Sequence, residues 1–226
     1  MIPRTLAEDL LLVLVDPRHG SVTGEGTPLF HVLAAAVLVD LALQGRVAVD
    51  DRGTWRGRQV RAAGGEPPAD PLLRDTWDRV AARAVDVHQL IAVTGPRLRG
   101  PVLDRLVERG DLVRERRRLL GLLPTSTLRP GPTGRRDAVL APVRAALVDG
   151  TVPDTRTAAL AGLLSAGGTL PQLHGEIPWS GAVHDRGRLL ERGEWGAEAA
   201  AEAVRRTVAA LVASTVVTGT VVATLP

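Results

Sequence analysis

Between Leu29 and Gln44 the chain reads LFHVLAAAVLVDLALQ, sixteen residues that put apolar side chains on nearly every face of a helix and carry one charge, Asp40. A helix that is apolar all round cannot lie on a surface, so the rest of the chain must surround it. Thr27 and Pro28 offer an N-cap and a first-turn proline, and Gly45 offers the stop. The segment is too short and too interrupted by Asp40 to read as a membrane span. Thr207 to Pro226 is uncharged but rich in Thr, Ser and Ala, and it too reads better as buried structure than as a span.

The elements that wrap this centre follow from periodicity. Thr5 followed three residues later by Glu8 has the form of a capping box, and Leu6 to Val15 is a first buried helix. Asp16 to Gly26 is a loop. Arg46 to Val49 and Gln59 to Ala62, around a turn at Asp50 to Gly53, predict a β-hairpin. Asp70 and Pro71 start a helix in which Leu73, Trp77, Val80, Ala84, Val87 and Ile91 share one face. Pro101 to Arg109 is a shorter helix, followed by a second hairpin and a proline-rich loop to Gly134. Further amphipathic helices are marked by Val139, Leu140, Val143 and Leu147, by Leu160, Leu163 and Leu164, and by Val204, Val208, Leu211 and Val212. LALQGRVAV from Leu41 and LVERGDLV from Leu106 both read helix, glycine stop, strand, an echo too short to make a repeat architecture. The expected fold is mainly α: one compact helical domain spanning 1–226 around a buried central helix, with two short β-hairpins.

Charge is concentrated rather than spread. All 28 cationic residues are Arg, and the net charge is +3. From Arg97 to Arg136 there are eleven Arg against Asp104, Glu108, Asp111 and Glu115, a local +7, so the remainder of the chain is about −4. The centre of this segment, DLVRERRRLLGLL, sets Arg114, Arg116, Arg117 and Arg118 beside Leu119, Leu120, Leu122 and Leu123. A cationic hairpin with an apolar tip suits a surface that is anionic outside and oily beneath, which describes a membrane interface. It also suits the wing of a winged-helix nucleic-acid binder. Against that alternative, the helix before it opens with proline and carries Asp104 and Glu108 where phosphates would approach. Sequence-specific nucleic-acid binding is therefore not expected. An Arg-rich run can also be a plain solvated hairpin face, and the tip leucines can be core or a contact between copies.

Catalytic chemistry has little to work with. The chain has no Cys, which excludes disulfides, thiolate metal sites and a thiol nucleophile. His174, Glu176, His184 and Asp185 are the only stretch resembling metal ligands, and their spacing is not that of a helical metal motif. No phosphate-binding glycine loop, nucleophile elbow or dinucleotide fingerprint appears, so neither an enzyme nor a cofactor is expected. His31 reads as a core histidine and Trp77 as a core-face residue, whereas Trp55, Trp179 and Trp195 suit either the core or an interface. The N-terminus lacks a basic region ahead of its apolar run and a small-residue cleavage site, which predicts no signal peptide and a cytoplasmic location.

LAEDLLLVLVDPRHG, VLVDLALQGRVAV, DPLLRDTW and LVERGDLVRERRRLLGLL, in that order, resemble the Golgi phosphoprotein 3 family, in particular its bacterial, actinomycete-type members, from Leu6 to about Val212. The resemblance implies a single, mostly helical domain. It also implies a non-enzymatic peripheral membrane adaptor that binds phosphatidylinositol 4-phosphate and uses an apolar-tipped hairpin for insertion and self-association. The family's headgroup site has a tryptophan in the loop after the first helix, an arginine in the central helix and two arginines three apart before the helix that leads to the hairpin. Here the second of that pair falls on Arg99, and the first on Pro96 with Arg97 adjacent. The tryptophan falls near Gly24 or Glu25 and the central-helix arginine on Ala34. Two of the four positions are lost, and a carboxylate there repels phosphate. The resemblance thus implies, at the inner face of the cell membrane, an anionic lipid surface as partner and the 110–123 hairpin as the route to any homo-oligomer. It names no protein partner.

Overall fold

The computed structural model describes residues 3–50, 57–119, 123–195 and 202–215, with the side chains of Thr27, 116–119 and 123–126 outside that description. The fold is mainly α with two small antiparallel sheets. Helix α1 (Leu6–Leu14) opens with the expected capping box: Glu8 N–H donates to Thr5 Oγ1 at 3.2 Å, and Thr5 N–H donates to Glu8 Oε2 at 2.8 Å. Every residue of α1 is buried. Helix α2 (Thr27–Leu43) runs through the middle, buried without a break from Val32 to Ala42, and α1, α3 (Pro71–Ala82), α4 (Val87–Thr94), α7 (Thr155–Ala166), α9 (Glu202–Ala213) and β1 (Val47–Asp50) pack on it. No helix of the described residues is long and apolar enough to cross a membrane.

The N-cap of α2 is Gly26 (φ 104°), not Thr27, which is the first helical residue. With Pro28 in the first turn, only a residue free to adopt positive φ brings the chain in from the preceding loop at this angle. The far end matches expectation. Gly45 (φ 68°) lies one past the cap, Arg46 N–H donates to Leu41 O and Gly45 N–H to Ala42 O, each at 2.9 Å, and the chain turns into β1. The end of α5 (Arg99–Glu108) repeats the device with Gly110 (φ 71°), Asp111 N–H to Leu106 O at 2.9 Å and Gly110 N–H to Val107 O at 3.0 Å. The echo between LALQGRVAV and LVERGDLV is therefore one local helix-stop chemistry used twice.

β1 (Val47–Asp50) and β2 (Gln59–Ala62) form the expected hairpin, in register Val47↔Ala62 to Asp50↔Gln59. The turn expected at Asp50 to Gly53, and Trp55, lie mostly or wholly outside the described residues. The sheet has a third strand. The helix expected to run from Pro71 through Ile91 is instead α3 (Pro71–Ala82), the two-residue strand β3 (Val85–Asp86) on β2, and α4 (Val87–Thr94). Asp86 explains the break, because its carboxylate accepts from Gln89 N–H at 3.0 Å and caps a new helix, while Arg83 is extended at φ −168°. Ala84, expected on the core face, is exposed.

A 3₁₀ turn at Gly95–Arg97 leads into α5 (Arg99–Glu108). The second hairpin is longer than the sequence suggested, since β4 (Leu112–Leu119) pairs throughout with β5 (Leu123–Pro130), much of which reads as loop. Thr125, Thr127 and Leu128 favour an extended chain, and Pro124 and Pro130 are tolerated because neither edge of this two-stranded ribbon pairs with another described strand. Then come α6 (Arg135–Arg144), a π turn at Ala145–Asp149, α7 (Thr155–Ala166), α8 (Gly181–Glu191) and α9 (Glu202–Ala213). α7 is buried nearly all round rather than amphipathic. α8 has no strong apolar stripe and escaped the sequence reading; Ser180 caps it by accepting from Val183 N–H at 3.3 Å. One contiguous core extends from Leu6 to Val212.

Candidate functional site

The arginine hairpin grows from a rigid root. Asp111, just past the Gly110 stop, is buried and accepts three bonds from the Arg4 guanidinium at 3.0 to 3.1 Å and one from Thr133 Oγ1 at 2.7 Å. Across from it, Gly131 N–H donates to Asp111 O at 2.8 Å. A Cβ on Gly131 would lie 1.9 Å from the Gly110 carbonyl oxygen, so only glycine lets the two ends of the ribbon approach this closely. Leu112 and Leu128 are buried at the root. The loop after α1 is pressed on β5, where a Cβ on Gly20 would meet Leu128 O at 2.5 Å. Arg129 donates to Glu115 at 3.0 Å and to Pro17 O at 3.4 Å.

Moving outward, Val113 is 43% exposed and Arg114 is exposed beside Asp104 at 3.4 Å. The backbone continues in register, Arg116 opposite Ser126, Arg117 opposite Thr125, Arg118 opposite Pro124 and Leu119 opposite Leu123. Leu120 and Leu122, the rest of the expected tip, lie outside the described residues. An eight-residue strand at about 3.4 Å per residue reaches roughly 27 Å. Beyond their pairing with each other, the main helical packing of these strands is that of β4 on α5.

The second candidate region is the turn before α5. Arg97 is exposed in the 3₁₀ turn, and Arg99 begins the helix. The structure brings Arg99 to Glu25, with Nη2 2.5 Å from the carboxylate oxygen, and leaves Arg99 Nε buried without a partner. Ala34 is fully buried in the body of α2. The carboxylate noted at this place in the sequence is thus the very group that Arg99 contacts.

Most of the local +7 proves to be internal. Arg105 binds Asp70 through two bonds of 2.6 and 2.8 Å, Arg109 lies 3.3 Å from Glu8, Arg135 donates to Asp9 at 2.5 Å, and Arg136 grips Glu176 at 2.6 and 2.7 Å. Those four carboxylates and Glu25 all lie outside the 97–136 segment. Counting them, and Arg4, which neutralises Asp111 from outside the segment, the +7 falls to +3, and the excess sits toward the hairpin. Arg105 and Arg109 point inward to carboxylates, whereas Asp104 is 63% exposed, so α5 does not present a cationic face to a nucleic acid.

Sequence reasoning missed the network these arginines complete. Arg156 of α7 donates to Asp9 at 2.7 and 3.1 Å, to Asp40 at 3.1 Å and to the Arg4 carbonyl at 3.0 Å, while Asp40 also accepts from Leu6 N–H at 2.5 Å. Burial pushes Asp40 up to about 7, although Arg156 and the Leu6 amide pull it down. Burial opposes the Arg156 charge, but Asp40 and Asp9 outweigh it and raise its pKa. The available signal was an acid inside each apolar run, Glu8 and Asp9 in α1 and Asp40 in α2.

Three of the four supposed metal ligands are otherwise employed. Glu176 binds Arg136, His174 Nδ1 accepts from Trp179 N–H at 2.9 Å, and His184 stands edge-on to the Trp179 ring at 5.8 Å. Among the described residues no group of three or more His, Cys, Asp or Glu is placed to hold a metal. His31 is half-buried; Trp77 packs half-buried on the core, and Trp195 is buried with its Nε1–H donating to Leu190 O at 2.8 Å. A family model described as Golgi phosphoprotein 3 (GPP34) matches residues 6–207. No curated protein matches the chain.

Proposed function

Because the chain belongs to the Golgi phosphoprotein 3 family, we propose that it is a non-enzymatic, peripheral membrane-binding adaptor, folded as one domain, that docks from the cytoplasm on an anionic lipid surface at the inner face of the cell membrane. The observation that carries this reading is the β4–β5 ribbon. It is anchored at a root tied by Arg4, Asp111 and Gly131, and its paired strands carry the backbone of Arg116, Arg117, Arg118 and Leu119 outward, with Leu120 and Leu122 next in the sequence. The arginines near the root are matched by carboxylates, so the outer arginines supply the steering charge and Leu119, Leu120, Leu122 and Leu123 the apolar part, for insertion or for contact with a second copy. Recognition of phosphatidylinositol 4-phosphate is a weaker component, resting on Arg97 and Arg99. Glu25 occupies Arg99, and Ala34 supplies no charge.

Co-flotation with vesicles tests this. Each arginine near an anionic surface contributes about 1 kcal/mol, so replacing Arg116, Arg117 and Arg118 by Ser should weaken binding by about 3 kcal/mol, and salt should weaken it in the wild type. A Leu119→Ser, Leu122→Ser variant should lose the part of binding that survives high salt while keeping its melting temperature. Equal recovery on neutral and anionic vesicles at low salt overturns the proposal. Unfolding of the leucine variant returns the tip to a core role. Vesicles doped with phosphatidylinositol 4-phosphate report the headgroup component separately.

A further inference from the structure

A cleft of about 590 Å³ opens between the N-terminal arm, the C-terminal end of α2 and the start of α3. That volume lies within the range of small-molecule sites, about 300–1,000 Å³. Leu43, Leu73 and Pro68 give it an apolar floor.

Its charged groups divide into two kinds. The carboxylates already hold cations or amides: Asp70 takes both Arg105 bonds and Leu72 N–H at 2.9 Å, and Asp40 takes Leu6 N–H and Arg156. Arg156 is engaged as well, by Asp9, Asp40 and the Arg4 carbonyl, whereas Arg46 and Arg4 keep spare donors. Arg46 donates only Nε–H, to the exposed Gln44 at 2.9 Å, and keeps both Nη groups unbonded among the described residues. Arg4 directs Nε and Nη2 to Asp111 and keeps Nη1. The cleft therefore presents spare N–H donors and positive charge above an apolar floor. A cationic ligand is repelled by the arginines at the rim, and a wholly polar anion leaves the floor wet. An amphiphile with one negative end satisfies both parts.

We propose that this cleft binds a medium-chain carboxylate, with the acyl chain over Leu43, Leu73 and Pro68 and the head at Arg46 and Arg4. The backbone around Arg46 is fixed by the bonds from Arg46 N–H to Leu41 O at 2.9 Å and from Ala63 N–H to Arg46 O at 2.8 Å, so the rim is set before a ligand arrives. Since Arg4 also ties the hairpin root through Asp111, the cleft and the ribbon share a side chain.

Calorimetric titration of the full chain with decanoate, below its micelle concentration, tests the assignment. Saturable one-to-one binding is expected, with decanol at least about tenfold weaker and decyltrimethylammonium not bound. Arg46→Ser should weaken decanoate about tenfold, because a charge-assisted hydrogen bond is lost. Ala69→Trp, at an exposed position lining the cleft, should fill it and abolish binding. Replacing Arg116, Arg117 and Arg118 by Ser should leave decanoate binding unchanged, which separates this site from the membrane-facing hairpin. The proposal is overturned if decanoate shows no saturable heat, if the three amphiphiles bind equally, or if a folded Arg46→Ser protein binds decanoate as well as the wild type does.

Discussion

Replacing Asp40 by Asn should remove a pH dependence from the stability of this protein. In the native state burial pushes Asp40 up to about 7, with Asp9 adding to the rise and Arg156 and the Leu6 amide opposing it; the ordinary value is 3.8. The native state therefore keeps a proton that the unfolded chain releases across this interval. By linkage, the stabilisation is present below about 4 and is lost as pH rises to about 7, with no further change above. Roughly three pH units at about 1.4 kcal/mol each come to about 4 kcal/mol overall, more than half of it between pH 5 and pH 8. Asn cannot ionise, and groups common to both proteins cancel in the difference. Urea unfolding followed by tryptophan fluorescence at pH 5, 6, 7 and 8 should show Asp40→Asn gaining about 3 kcal/mol on the wild type as pH rises. Trp195, buried beside Leu190, makes the native signal distinct. Parallel stability curves would refute the reasoning, because they would mean that the Arg156 pair keeps Asp40 ionised despite its burial.

Three further outcomes follow from the same geometry. Arg105→Ala strands Asp70 and should cost about 3 to 5 kcal/mol, whereas Arg114→Ala, whose partner Asp104 is mostly exposed, should cost under about 1 kcal/mol; urea midpoints compare them. Glu25→Gln should strengthen binding to vesicles carrying phosphatidylinositol 4-phosphate with little change in melting temperature, and unchanged binding would take Arg99 out of the lipid site. Gly95→Ala would place a Cβ 2.4 Å from Phe30 O, and forcing the 3₁₀ turn off α2 should destabilise the protein by about 1 to 3 kcal/mol, read as a lower melting temperature.

Where one residue's local chemistry decides the backbone, the sequence was a good guide. The capping box at Thr5, the helix stops at Gly45 and Gly110 and the uniform burial of α2 all depend on neighbours within five residues or on a pattern no surface helix tolerates. It misled where a local preference was one of two. The periodicity from Leu73 to Ile91 fits a single helix, yet Asp86 can cap a new one, and β2 offers an edge that pairs with Val85. Only the assembled sheet makes the second choice better. β5 was hidden in the same way, since a proline-containing strand is recognised by the partner it pairs with.

The site divides along the same line. Sequence alone established that cations cluster between Arg97 and Arg136, because charge is a sum over residues and needs no coordinates. It could not say which of them face outward. Arg105, Arg109, Arg135 and Arg136 meet Asp70, Glu8, Asp9 and Glu176, partners between 35 and 126 positions away for the bonded pairs with Asp70, Asp9 and Glu176. A buried carboxylate inside an apolar helix must find a cation or hold its proton, but which cation is decided only when α1, α2 and α7 pack together. Tertiary structure thus turned a count of charges into a division between arginines that hold the core and arginines left for a partner.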